Sequence, residues 1–391
     1  MRSSDSDRVY LARVDHLRAA AAVLVVLYHG CQLLGARIEG RALTDAAQRQ
    51  HSTNPAATLV LEGHTAVALF MVLSGFIFTV GAHGRPIRYG RFVTNRLLRV
   101  YPLYLVIAVL GLATQVALPS FEHLLAVLTF TTPGQPYGGV FWTLSVELQF
   151  YLLFPLLNRL LGERGPGALL RLLGAIALLR LLVWLSSPAP EPHTSALYLG
   201  LAGRIDQFLL GMLAAWCYLR HRERLRAGWL PPAALALALG ALWGFHQLRG
   251  FMSDSPLKLV WSTLEGAVWA VFVAVYVAGA RDRGGAVSRA AARLGEVSYS
   301  VYLTHFMVLT VLCEDARLVG ALPSLPPVWA AFALSALVAL PVTVGLSFLT
   351  YHAVELPFLR LRRPYLGSSP TGAGNATPPA ARGEPGAVVR S

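Results

Sequence analysis

Charge is scarce in this sequence: 14% of its 391 residues are Asp, Glu, Lys or Arg, against 55% that are hydrophobic. A soluble globule of that size needs more polar surface than this composition supplies, so a water-soluble fold is excluded. Lysine is nearly missing, with Lys258 alone among 33 basic residues, a preference that codon bias in a GC-rich genome would produce. Cysteine is also rare. Cys31, Cys217 and Cys313 fall in three different apolar runs without ligand spacing, which indicates neither disulfides nor a metal site. The first apolar run lacks a small-residue cleavage site and is expected to be retained rather than removed as a leader. No segment leaves room for a second globular domain. The formal charge of +13 reads as a membrane-topology signal, and nucleic acid is not an expected partner.

What the sequence does contain is apolar runs of about 20 residues, the length that crosses a bilayer as a helix. Ten are found: Leu17 to Ala36, Thr58 to Ala82, Leu97 to Leu118, Val140 to Leu161, Ala168 to Ser187, Leu199 to Leu219, Trp229 to Leu248, Leu259 to Ala280, Leu294 to Cys313 and Val328 to Tyr351. The expected fold is an all-α polytopic membrane protein of about ten transmembrane helices, surrounded by lipid. Residues 1–360 form the transmembrane domain, and 361–391, rich in Pro, Gly, Ala and Ser, are expected as a disordered cytoplasmic tail. The Asn375-Ala376-Thr377 sequon falls in that tail and is a chance match. Counted over the N-terminus and every second loop, 25 basic residues lie on one side of the membrane and 6 on the other. By the positive-inside rule both termini are cytoplasmic.

Polar residues inside the runs carry the chemistry, because each is costly in lipid unless it lines a cavity or finds a partner. The first run holds Arg18 and His29. Eleven residues make three helical turns plus roughly 20°, so the two share one face, roughly 16 Å apart along the axis. Arg18 then sits at a headgroup boundary and His29 beyond the midplane. Ser74-Gly75 in the second run reads as a place where another helix approaches closely. Arg96 and Arg99, three apart, share a face at the mouth of the third; they read as headgroup anchors or as partners for a phosphate-bearing ligand. The fourth run places Glu147 within about a turn of Trp142 and Tyr151. In the sixth, Arg204 and Asp206 satisfy each other or reach across the bundle, a structural role. The ninth sets Ser298, Tyr302 and His305 near one stripe, and Glu355 follows the last run, poised to tie its end to a basic group.

In this order these residues resemble the membrane-bound acyltransferase family 3, bacterial O-acyltransferases that decorate glycans and some secondary metabolites. The resemblance runs through Asp15, Arg18 and His29; Ser74-Gly75; Arg96, Arg99 and Pro102; Trp142, Glu147, Phe150, Tyr151 and Pro155; the block Gly295, Ser298, Tyr299, Tyr302, Leu303 and His305; and Glu355 with Pro357. It departs at Ala19, where the family usually has glycine, at His16, and at Leu148, which replaces a frequent second acid beside Glu147.

The resemblance implies an enzyme of the bacterial inner (cytoplasmic) membrane with acyl-coenzyme A, acetyl-coenzyme A above all, as co-substrate and no bound cofactor. It implies that Arg18, Arg96 and Arg99 hold the donor phosphates at the inner mouth. His29 accepts the proton of an attacking hydroxyl, with Glu147 orienting its ring or stabilising its charge; a transient acyl-imidazole on His29 is the rival version. Trp142, Tyr151, Ser298, Tyr302 and His305 are acceptor-site or structural residues. The acceptor implied is a glycan or a glycosylated small molecule. The alternative from a different class is a proton-coupled transporter, since buried Arg, Glu, Asp and His also suit a carrier. No inverted pair of broken helices supports it.

Overall fold

The computed structural model describes residues 11–41, 52–113, 140–186, 200–248, 250, 256–279 and 284–367. Among these residues the chain is all-helical, with no strand and a single isolated bridge between Ile87 and Leu366. The helices are α1 (Ala12–Ile38), α2 (Pro55–Leu61), α3 (Thr65–Ala82), α4 (Tyr89–Ala113), α5 (Trp142–Arg164), α6 (Pro166–Ser186), α7 (Leu201–His221), α8 (Leu230–Gln247), α9 (Lys258–Ala278), α10 (Ala286–Glu296), α11 (Ser298–Glu314), α12 (Ala316–Val319) and α13 (Pro327–Leu359).

Six of these are long and apolar enough to cross a membrane: α1, α3, α4, α6, α9 and α13. The pair α10 and α11, bent by 70° at Val297, makes a seventh if it counts as one span. The expected ten runs all fall on helices. In α5, α7 and α8, however, residues such as Glu147, Arg204, Asp206, Pro231 and Pro232 dilute the apolar character. The parts of the runs at 114–118, 187, 199 and 280 lie outside the described residues.

Local chemistry sets the helix ends. Asn54 caps α2 by accepting from the Ala56 amide at 2.9 Å, with Pro55 in the first turn where its missing N–H is harmless. Gly165, at φ +70°, ends α5, and Pro166 opens α6 directly after it. Helices α3 and α7 approach closely. A Cβ on Gly75 would sit 2.1 Å from the Phe208 carbonyl oxygen, and one on Gly211 2.1 Å from that of Val72. The close approach expected of Ser74-Gly75 is therefore real, and Gly211 is its counterpart.

Helix α1 is the axis of the bundle, packing on α3, α10, α11 and α13. Two buried ion pairs cross between helices. Arg180 of α6 meets Asp206 of α7 at 2.8 Å, and Arg204 of α7 meets Glu265 of α9 at 3.6 Å, all four fully buried. Arg204 and Asp206 thus reach across the bundle, in the structural role expected.

Residues 361–367 belong to the bundle, not to a tail. The Asn95 side chain donates to the Arg363 carbonyl at 2.7 Å, the Arg88 amide to Tyr365 at 2.8 Å and the Gly367 amide to Pro86 at 2.9 Å. Tyr365 also packs edge-on to Phe92. Aromatic and backbone pairing override the polar composition of this stretch. The rest of the expected tail, 368–391, lies outside the described residues.

Candidate active site

A cavity of about 820 Å³ opens between α1, α3, α4, α5, α10 and α11, large for a small-molecule site, which spans about 300–1,000 Å³. Six arginines line it: Arg18, Arg96, Arg99, Arg289, Arg293 and Arg362. The acids on its wall are Asp15, Glu147 and Glu296. Such a site attracts an anion. Ser74, Thr143, Ser298, Tyr299 and Tyr302 supply hydroxyls to the same lining.

The arginines differ in what they already hold. Arg18 pairs with Asp15 at 3.1 Å, one turn away on α1. Arg99 pairs with Glu355 at 3.0 Å and lies over the Tyr299 ring at 5.3 Å. The π-turn Tyr351–Glu355 in α13 carries Glu355 to full burial, where it also accepts from the Ser300 hydroxyl. Such turns are frequent at functional sites. Glu355 thus ties the end of the last helix to a basic group, as its position suggested. Arg96 is different. Its guanidinium lies among the rings of Phe78, Phe92 and Tyr151, at 4.9, 5.5 and 5.9 Å, and its Nε is buried without a hydrogen-bond partner.

Glu147 faces this same region. It accepts from Ser74 Oγ at 3.2 Å and from the Tyr151 hydroxyl one turn along α5. It does not bond His29, so the expected Glu147–His29 pairing is corrected. The cause is direction: Glu147 looks across to α3, whereas the His29 imidazole looks to α11. There its Nδ1 lies 3.0 Å from His305 Nε2. Among the described residues, His29, His305 and Trp142 stand outside the cavity wall. Tyr302 separates the pair from the cavity, its ring 5.7 Å from that of His305 and its hydroxyl 2.8 Å from Thr143 Oγ1. Trp142 lies under the Arg204 guanidinium at 5.5 Å. Arg18 and His29 stand eleven residues apart on the unbroken helix α1, Arg18 on the cavity wall and His29 outside it.

The sequence reading had not singled out Arg289, Arg293 and Arg362, nor the joining of His29 with His305. Arg289, Ala292, Arg293 and Glu296 do carry a signal, since spacings of three and four put them on one face of α10. That helix meets α1 where Gly295 leaves room for the Asp15 backbone: a Cβ there would lie 2.0 Å from the Asp15 carbonyl oxygen. A further buried group, Glu62 with His246 at 2.8 Å and His64 at 3.4 Å, also went unread.

Helices of this kind around an arginine-lined cavity describe a multi-pass membrane protein with an internal binding site. The sequence comparisons name its class. A model of the acyltransferase domain matches residues 11–352, and the chain belongs to that family of acyltransferases. It is 29% identical over 343 residues to the acyltransferase MdmB of Streptomyces mycarofaciens, covering 77% of this chain and 83% of that one. It is 27% identical over 281 residues to the exopolysaccharide production protein ExoZ of Rhizobium meliloti (strain 1021), covering 66% and 80%. No solved structure matches it.

Proposed function

We propose that this acyltransferase moves an acyl group, acetyl in the simplest case, from acyl-coenzyme A to a hydroxyl of a carbohydrate or glycosylated acceptor, with His29 as general base. The observation that carries the reading is the arginine-lined cavity on the Arg18 side of α1, with His29 three turns further along the same helix. The donor phosphates bind at the arginines, with Arg96 supplying a guanidinium whose Nε has no hydrogen-bond partner. The pantetheine arm then runs past Ser74, Ser298 and Tyr302 toward His29.

There the acceptor hydroxyl oxygen attacks the thioester carbonyl carbon. A C–O bond forms, the C–S bond breaks, and the hydroxyl proton passes to His29 Nε2 and on to the departing thiolate, leaving an ester and free coenzyme A thiol. The name of the Rhizobium relative, an exopolysaccharide production protein, supports a carbohydrate acceptor. The protein lies in the bacterial cytoplasmic membrane as ten spans with both termini inside, a topology supported by the 25 to 6 division of basic residues.

The test uses membranes containing the protein, labelled acetyl-coenzyme A and a fractionated pool of host glycans and metabolites. The expected result is label in an alkali-labile ester. Saturable uptake of an unmodified solute with no ester formed overturns the reading in favour of a carrier. Reporter fusions after Arg37 to Ala57 should face outward and fusions after Arg222 inward; the reverse removes the argument for a cytoplasmic donor.

A further inference from the structure

His305 sits in the middle of α11, fully buried, where the sequence reading makes it an acceptor-site or structural residue. Its two ring nitrogens face unlike partners. Nδ1 lies 3.2 Å from the Val301 carbonyl oxygen, one turn back on its own helix. A carbonyl only accepts, so Nδ1 carries the hydrogen, and in the neutral ring Nε2 is left with a lone pair. That lone pair faces His29 Nδ1 at 3.0 Å. His29 Nδ1 must therefore be the donor, which leaves the lone pair of His29 on Nε2.

Ring geometry agrees. The planes of His29 and His305 differ by 25° and their centroids are 5.1 Å apart. Faces in contact would lie closer; this separation is about the sum of two ring radii and the N···N distance, so the rings meet edge to edge. An N–H···N bond needs that arrangement, because the imidazole lone pair lies in the ring plane. Phe306, edge-on to His29 at 5.7 Å, and Tyr28 at 4.8 Å confine the ring from its other sides.

We propose that His305 is a positioning residue which fixes His29 in the Nδ1–H tautomer and so presents His29 Nε2 as the base. The bonds run in the order Val301 carbonyl, His305 Nδ1–H, His305 Nε2, His29 Nδ1–H, His29 Nε2, with the Val25 carbonyl one turn back on α1 also hydrogen-bonded to the His29 ring. When His29 takes the hydroxyl proton at Nε2 it becomes a cation, and its Nδ1–H bond to His305 becomes charge-assisted and stronger. His305 thus favours the proton-accepting step without touching substrate, the part an orienting carboxylate takes in hydrolase triads. Glu147, held by Ser74 and Tyr151, does not compete for this place. The inference rests on the reading of His29 as the base.

The test compares His305→Leu, which fills the space but accepts nothing, with His305→Gln, whose amide can accept from His29 and donate to Val301. In correctly inserted protein, His305→Leu should lose at least about tenfold in turnover with the half-saturating acetyl-coenzyme A concentration unchanged, and His305→Gln should recover most of it. Combined with His29→Gln, His305→Leu should cause no further loss, since its effect runs through His29. Nitrogen NMR of histidine-labelled protein, with the His29 signals identified by their disappearance in His29→Gln, supplies a measurement independent of rate. It should show one His29 tautomer, protonated at Nδ1, in the wild type and a mixture in His305→Leu.

Equal turnover for Leu and wild type, an undiminished loss in the His29→Gln background, or a His29 protonated at Nε2 overturns the proposal. Should His29→Gln itself transfer acyl groups at the wild-type rate, the base reading fails instead, and the NMR tautomer still decides what His305 does to its neighbour.

Discussion

Replacing Arg96 with Ala removes a guanidinium that faces the cavity, rests on three aromatic rings and has a buried Nε with no hydrogen-bond partner. In the ligand-free protein the loss is confined to ring contacts, about 0.5–2 kcal/mol. With donor bound it is larger: a hydrogen bond to a charged group contributes about 1.5–3 kcal/mol, or about 10- to 150-fold in dissociation constant. Arg96→Lys keeps the charge and loses the planar fork, so its affinity should fall in between.

Arg99, three residues on, should behave otherwise. Its removal leaves the Glu355 carboxylate, 0% exposed, without its cation, and breaking a buried pair in this way destabilises by about 3–5 kcal/mol. Arg99 is itself 23% exposed, which places the effect toward the lower end. Adding Glu355→Gln removes the stranded charge and should restore most of the stability. Calorimetric titration with acetyl-coenzyme A and thermal unfolding in detergent separate the two. Unchanged donor affinity in a well-folded Arg96→Ala protein, or an Arg99→Ala protein as stable as wild type, refutes this division.

His29→Gln should retain donor binding and lose roughly 10²- to 10⁴-fold in turnover; near wild-type transfer by inserted protein makes His29 structural. Because the base must be neutral, wild-type turnover should fall on acidification while donor-independent stability is followed in parallel. Gly75→Ala pushes a methyl into the Phe208 carbonyl, which is backbone and moves only with its helix, so a loss of about 1–3 kcal/mol is expected. A thermal midpoint equal to wild type shows that α3 and α7 do not cross so closely. A chain ending at Gly367 should fold and transfer normally, whereas one ending at Arg363 loses the bonds of Tyr365 and Gly367 to Arg88 and Pro86; equal yield and activity of the two removes any role for that segment.

Residues that stand out against an apolar background were readable from sequence. Arg18 and His29 interrupt one greasy run, and helical geometry alone sets them on one face. Glu147, Arg204 and Asp206 were visible for the same reason. Partnerships were not. His29 and His305 lie 276 positions apart, and nothing local tells an imidazole that bonds another imidazole from one that bonds a carboxylate. Arg289, Arg293 and Arg362 were hidden by a different ambiguity, because a loop arginine beside a membrane span looks the same whether it anchors the span or faces a ligand. The tail boundary misled through composition: Pro, Gly and Arg around 361–367 say nothing of the backbone that Arg88 and Asn95 offer them.

Why Glu147 belongs in so basic a cavity follows from the same distances. Six arginines facing one another without a ligand repel, and acids on the same wall reduce that repulsion. Asp15 on that wall and Glu355 outside it do so by direct pairing. Glu147 takes the Tyr151 hydroxyl and Ser74 instead. Tyr151 is one of the rings beneath Arg96. Fixing that ring fixes the surface on which the guanidinium rests, so a carboxylate expected to serve the base is connected through one side chain to the donor end of the cavity. On that geometry a loss of Glu147 should appear first in donor affinity, whereas a loss of His305 should appear in turnover, and the two halves of the site are separable by kinetics although α1 runs through both.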